Sequence, residues 1–447
     1  MFFFRRKQPK PTIIPREEHI ISRQNIDEDA LKVLYRLAER NHEAYLVGGS
    51  VRDLLLGRTP KDFDVGTDAR PNEIRRIFRN CFLVGRRFRL AHIVFGKKVI
   101  ETATFRRPPQ PTDVADEHGL YQTEDNTFGT PAEDALRRDF TVNGLFYDIK
   151  TFAIIDYVGG LKDLKAKLIR SIGDPAIRFQ EDPVRMMRAV RFAAKLGFEI
   201  CPNDIKAIRK YAPTLANASV SRLCEEIQRL FVRGATERSI RLAHTYGLLA
   251  VLLPELDAWI AASGANANAL WRSLAALDRF AASHEVSPAL ALALLYSPMA
   301  AELMSKRAPG KRGNERFARR QAAEKALAPA VKQYRLPRAV WMTAADILEL
   351  APRFSQPPRE EITRDLRFLN HPLFCEYLAG AHVFANLGLL PADHLPAWGE
   401  AYRRNGPPSR VEEGEALPEP PNPHRRRFRQ RRRGGNRKPA AQQKAEA

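Results

Sequence analysis

The sequence predicts an α+β protein: an N-terminal head on a small mixed sheet, then an elongated all-helical body, then a disordered basic tail. Three observations carry this. Short β-prone runs alternate with helical pieces in the first part of the chain, apolar residues then recur at helical spacing, and the end is Pro/Glu-rich and finally arginine-rich. At 447 residues the chain exceeds what a single core usually serves. The boundaries read from these shifts are a flexible basic leader at 1–22, a head at 23–158, a helical neck at 159–232, a helical body at 233–404 and a tail at 405–447.

Taken in order, the residues up to Ser22 are charged, contain proline and lack periodicity. From Asp27 to Arg40 the positions Leu31, Leu34, Leu37 and Ala38 recur at helical spacing, which predicts an amphipathic helix. The runs Ala44 to Val47, Phe63 to Val65, Ala91 to Phe95 and Val99 to Ala103 predict strands, with helical pieces at Val51 to Leu56 and Asn72 to Phe78. Arg106 to Pro131 holds little apolar matter and predicts a long mobile insertion beside a site. A strand pair, Phe140 to Tyr147 and Phe152 to Tyr157, closes the head before Gly159-Gly160. Helices follow at Asp182 to Leu196, Ile205 to Tyr211, Ser221 to Val232 and Glu237 to Tyr246, and continue to about Leu389. Lys306 to Arg320 interrupts them with a basic stretch that reads equally as a solvated loop or an RNA contact.

Formal net charge is +21, which predicts a polyanionic partner, and nucleic acid is the natural one. No stretch approaches the roughly 20 apolar residues that span a bilayer, so no transmembrane segment is expected. Met1-Phe2-Phe3-Phe4 stops at Arg5-Arg6-Lys7 and does not read as a secretory signal. Cys81, Cys201, Cys224 and Cys375 lie far apart, form no zinc-type pair and fit reduced thiols in the cytoplasm.

The chemistry concentrates in the head. Gly48-Gly49 sits where a strand meets a helix, a junction at which the backbone can approach a phosphate, although such a pair is also an ordinary turn. Asp62 and Asp64 flank Phe63; if the run is a strand, both carboxylates share one face, as a hard divalent ion requires. Glu101 interrupts a β-prone run and is either an edge acid or a third carboxylate. Three such acids would bridge two Mg²⁺ ions, one lowering the pKa of an attacking hydroxyl, the other clamping a triphosphate. Arg52 and Arg138 are candidates for phosphate, Asp139 and Asn143 for ribose hydroxyls. Asp182 caps a helix whose first turn holds Pro183, and it shares a face with Arg185, followed by Arg188 and Arg191. That stripe is either solvated or offers acceptor and donor groups to a base edge. At the tail, Arg425, Arg426, Arg427, Phe428, Arg429, Arg431, Arg432 and Arg433 suit salt-sensitive RNA binding, with Phe428 available for stacking.

The run from Leu46 to Gly57, Leu-Val-Gly-Gly-Ser-Val-Arg-Asp-Leu-Leu-Leu-Gly, followed by Lys61-Asp62-Phe63-Asp64, resembles the head motif of the class II nucleotidyltransferases, which include the bacterial poly(A) polymerases and the CCA-adding tRNA nucleotidyltransferases. The resemblance implies a mixed five-stranded head sheet, catalytic and metal-binding roles for Asp62 and Asp64, and a catalytic role for Glu101. It also implies ribose contact by the element Arg137 to Asn143 and base recognition by Asp182 and Arg185. Leu83-Val84-Gly85-Arg86-Arg87-Phe88-Arg89-Leu90-Ala91-His92-Ile93 resembles the segment that marks bacterial poly(A) polymerases, and Ser221 stands where CCA-adding enzymes carry Glu. The expected activity is therefore template-independent, Mg²⁺-dependent addition of AMP from ATP to RNA 3′ ends by a cytoplasmic monomer linked to RNA processing and decay, with RNA-decay proteins as candidate partners. A CCA-adding enzyme is the alternative, and a non-catalytic RNA-binding protein the alternative of another class.

Overall fold

The computed structural model describes residues 10–85, 89–107, 128–231, 234–306 and 315–406. The head is an eight-stranded sheet in the order β1-β8-β7-β2-β3-β6-β5-β4. Its strands are β1 (Thr12–Ile14), β2 (Ala44–Val47), β3 (Asp64–Thr67), β4 (Cys81–Val84), β5 (Leu90–Phe95), β6 (Lys98–Thr104), β7 (Leu145–Asp148) and β8 (Ile154–Asp156). Only β3 and β6 run parallel. The sheet is mixed as expected, but wider than the five strands the resemblance implies, because short strands extend both edges. One of them corrects the leader: Thr12–Ile14 pairs antiparallel with β8, so the chain is ordered well before residue 22. Another, β4, has no counterpart among the strands predicted above.

Four helices pack on the head. They are α1 (Glu28–Glu39), α2 (Gly49–Leu55), α3 (Pro71–Ile77) and α4 (Pro131–Arg137). Asp27 caps α1 by accepting from the Asp29 and Ala30 N–H groups, and Ala30, Val33, Leu34 and Leu37 are its buried face. Helix α4 starts on a Thr130/Glu133 capping box with Pro131 at its first turn, so the end of the insertion expected over Arg106 to Pro131 is the start of a helix. Residues 108–127 of that insertion lie outside the described residues. The predicted strand from Phe140 begins instead as a tight helical turn, Thr141–Asn143, and only Leu145–Asp148 joins the sheet.

Helices α5 (Gly160–Lys165), α6 (Pro175–Glu181), α7 (Val184–Leu196), α8 (Pro202–Tyr211) and α9 (Val220–Phe231) form the next layer. Helices continue to Leu395–Asn405, joined to the head by one contiguous apolar core. Pro288–Ser305 is long and apolar enough to cross a membrane, which the composition argument passed over. Its residues Ala289 to Ser297 are buried among other helices, so a core position accounts for its apolarity. Residues 307–314 of the basic interruption, and the arginines from Arg425 to Arg433, lie outside the described residues.

Candidate functional site

The strand-to-helix junction after β2 demands glycine. Gly48 adopts φ +73°, and a Cβ there would stand 2.8 Å from Arg138 Nη1. Its N–H donates to Leu145 O at 3.1 Å, which ties the turn to β7. Gly48→Ala is expected to cost about 1–3 kcal/mol through backbone strain and to displace the Arg138 guanidinium. Thermal unfolding together with ATP titration checks it.

Asp64 opens β3, paired with Val47, while Asp62 lies two residues before the strand begins. Only one of the two carboxylates is therefore on the strand, and strand alternation does not set both on one face. Both nevertheless line a cavity of about 580 Å³. Asp64 reaches solvent at the cavity mouth, yet the protein packed around its carboxyl desolvates it and pushes its pKa up to about 6, and the charges of Glu101 and Asp62 add to this against the opposing effect of Arg138. Glu101 on β6 is half exposed and stands 3.8 Å from His92 Nε2.

Among the described residues no group of three His, Cys, Asp or Glu side chains is gathered as a ready-made metal site. Asp62, Asp64 and Glu101 nevertheless line one cavity, and the Glu101 charge acts on the Asp64 carboxyl more strongly than that of Asp62. A carboxyl whose pKa is raised by desolvation and by neighbouring acids does fit a hard divalent cation, and Mg²⁺ ordinarily completes its shell with water and substrate phosphates.

The arginines are held by an ordered network. Arg52 is buried; its Nε donates to Asp53 Oδ1 at 2.8 Å and its Nη1 to Asn143 Oδ1, so it braces α2 against the Thr141–Asn143 turn. Arg138 donates to Asp134 Oδ2 from Nη2 at 2.8 Å and to Asn143 O from Nη1 at 3.4 Å. Asp139 accepts from the Phe140 N–H at 2.8 Å, Asn143 Nδ2 at 3.1 Å and Arg188 Nε at 2.9 Å. Burial alone would raise its pKa, but the Arg188 charge and these hydrogen bonds outweigh it and hold the carboxyl down at about 2. Behind them, buried Glu226 of α9 pairs with Arg191 Nε at 3.0 Å and Arg229 Nη1 at 2.9 Å, and lies 3.7 Å from Arg188 Nη1.

At the far end Asp182 accepts from the Val184 N–H at 3.3 Å, but it ends α6 and is not the expected cap of α7, whose N-cap is Pro183. Its other oxygen accepts from Arg222 Nη2 at 2.8 Å. Arg185 Nη1 donates to Glu181 Oε2 at 3.0 Å and Arg178 O at 3.1 Å.

Gly48, Gly49, Arg52, Asp62, Asp64, Arg138, Asp139, Asn143, Asp182, Arg185 and Arg188 all line the one cavity; Glu101 lines a neighbouring one that shares Lys61, Asp62 and Asp64 with it. Sequence reasoning missed Lys61, Phe192, Lys195, Arg222 and Arg229, which also line it. The spacing of Arg188, Arg191 and Lys195 along α7, and of Arg222 and Arg229 two turns apart on α9, was a usable signal. Nothing in the sequence marked Glu226 as the acid those arginines share.

Residues 44–170 match the family described as the poly A polymerase head domain, and residues 197–260 the one described as the probable RNA and SrmB- binding site of polymerase A. The chain is 40% identical to the poly(A) polymerase I of Escherichia coli O6:H1 over 97% of this chain and 95% of that protein. It is 39% identical to the CCA-adding enzyme of Bacillus pumilus, over 48% of this chain and 52% of the relative. The crystal structure of the Bacillus stearothermophilus CCA-adding enzyme in complex with CTP is similar at a TM-score of 0.59 and 29% identity, covering 85% of this chain and 81% of that one.

Proposed function

Because this chain belongs to the poly(A) polymerase family, it is a template-independent RNA 3′-adenylyltransferase, and we propose that its reaction runs in the cavity between the head sheet and α7. The observation that supports this reading is the lining of that single cavity, which joins a glycine turn and two carboxylates at one end to an Asp/Arg pair at the other. ATP lies along it. Its triphosphate meets the Gly48-Gly49 turn and Arg138, its ribose hydroxyls meet Asp139 and Asn143, and its base edge meets Asp182 and Arg185. A carboxylate that accepts beside a guanidinium that donates complements the adenine amino group and its neighbouring ring nitrogen. Arg52 and Arg188, engaged with Asn143 and Asp139, hold the ribose element in place.

Asp62 and Asp64 are the residues that would hold Mg²⁺, with Glu101 beside them; bound there, the ion neutralises phosphate charge and makes a 3′-hydroxyl a better nucleophile. The chain itself needs no covalent intermediate. Its part is to orient ATP and the RNA end for in-line displacement of pyrophosphate.

The basic arm from Arg425 to Arg433 is proposed to add affinity for RNA without sequence preference, the enzyme acting as a cytoplasmic monomer with RNA-decay proteins as partners. A CCA-adding activity is the second reading, favoured by a CCA-adding relative that matches about half of this chain. Purified protein, a generic labelled RNA and each nucleoside triphosphate in turn decide between them. Extension is expected with ATP alone; preference for CTP on a generic primer overturns the assignment, and absence of any transfer favours a binding protein.

A further inference from the structure

Across the open face of the head sheet, paired residues form a row that ends at the site. Phe82 pairs with His92, and His92 pairs with Glu101. On the next strand Val65 pairs with Thr102, which sets Asp64 beside Glu101. Directly paired residues project from the same face of a sheet. Exposure follows that alternation: in the row one residue along, Ala91, Thr102 and Val65 are buried, whereas Phe82, Glu101 and Asp64 are exposed.

Phe82 stands at the outer end, on the edge strand β4, and is 64% exposed. A ring there contributes little to packing, yet it lies in line with the carboxylates. Three strand spacings of about 4.8 Å place it roughly 14 Å from Asp64, the distance of a base a few nucleotides upstream of a reacting end. We propose that Phe82, flanked by His92, is a stacking platform for an upstream base of the RNA substrate. The proposal rests on the assignment of this chain as an RNA 3′-adenylyltransferase, and it extends that site along the sheet.

Charge selects RNA over a second copy of the chain as the occupant of this edge. Arg75, Arg76, Arg79 and Arg89 are exposed in the segments that flank β4. They repel a like-charged copy and attract phosphates. Stacking adds affinity that is indifferent to sequence, because every base has a flat face.

The test is equilibrium binding of oligoadenylates carrying 2-aminopurine at each position in turn, with wild type, Phe82→Ala, Phe82→Trp and the control Ile13→Ala. Ile13 is 60% exposed on β1, at the opposite edge of the sheet. Quenching of an upstream 2-aminopurine is expected in wild type and Phe82→Trp, and its loss in Phe82→Ala, with affinity about tenfold weaker. Ile13→Ala should match wild type, and a dinucleotide too short to reach β4 should bind all four proteins equally. Equal affinity and quenching in wild type and Phe82→Ala overturns the platform, as does a loss that Ile13→Ala shares. A wild-type dimer that Phe82→Ala dissolves, at unchanged RNA affinity, assigns the edge to a second copy and also overturns it. Binding is read without transfer. Phe82-dependent quenching in a protein that adds no AMP would therefore sustain the platform while removing the reaction assignment.

Discussion

Asp64→Asn is expected to lower turnover by about 10³-fold or more, with ATP still bound through the glycine turn and the Asp182 end of the cavity. The substitution keeps the size of the side chain and removes the charge that a divalent cation needs. It has a second readout that does not depend on activity. The folded-state pKa of about 6 lies above the usual carboxylate value, so ionising Asp64 in the folded chain is unfavourable. Without metal, this group costs nothing below about pH 4; the cost grows as pH rises and is complete above about 6. Asp64→Asn should accordingly raise the unfolding temperature of the metal-free protein at neutral pH and leave it unchanged in acid. Added Mg²⁺ should stabilise wild type and fail to stabilise the variant. Equal Mg²⁺ stabilisation of both proteins would remove Asp64 from the metal site.

Asp139→Ala is expected to destabilise the protein by about 3–5 kcal/mol, the usual cost of removing one partner of a buried ion pair. It would leave Arg188 facing the more distant Glu226 and free Asn143 from one of its anchors. Turnover should fall as well, because Arg52 and the ribose element are fixed through the same asparagine. The pH dependence has the opposite sign from that of Asp64. The Asp139 pKa is depressed to about 2, so its stabilisation is fully present above about pH 4 and is lost as pH falls toward 2. Chemical unfolding of wild type and variant across that range should show the gap between them closing in acid. A gap unchanged across the range would mean that Asp139 acts through packing rather than charge.

Much of the candidate site was legible because its groups are close in sequence. Gly48 and Gly49 are followed within twenty residues by Asp62 and Asp64, and the whole ribose element spans Arg137 to Asn143. Asp62 and Asp64 do line one cavity, but not because they share a strand. Strand alternation does not extend to Asp62, since backbone pairing with Val47 begins only at Asp64. The edge strands β1 and β4 were missed for a related reason: short strands are defined by their partner more than by their own propensity. Their partners are β8, far along the chain, and β5, a pairing that the local pattern does not reveal.

By itself the amino-acid sequence determined the α+β architecture, the glycine turn, the acidic pair and the helix bearing Arg185 and Arg188 just after Asp182. Local spacing and backbone stereochemistry suffice for those. Tertiary structure alone decided that Arg52 and Arg188 are braces, that Glu226 gathers three arginines, and that Phe82, His92 and Glu101 stand in one row with Asp64. Each of these depends on which distant groups share a low-dielectric space or a strand register. Such pairings are set by the packing of the whole chain, and no local periodicity encodes them.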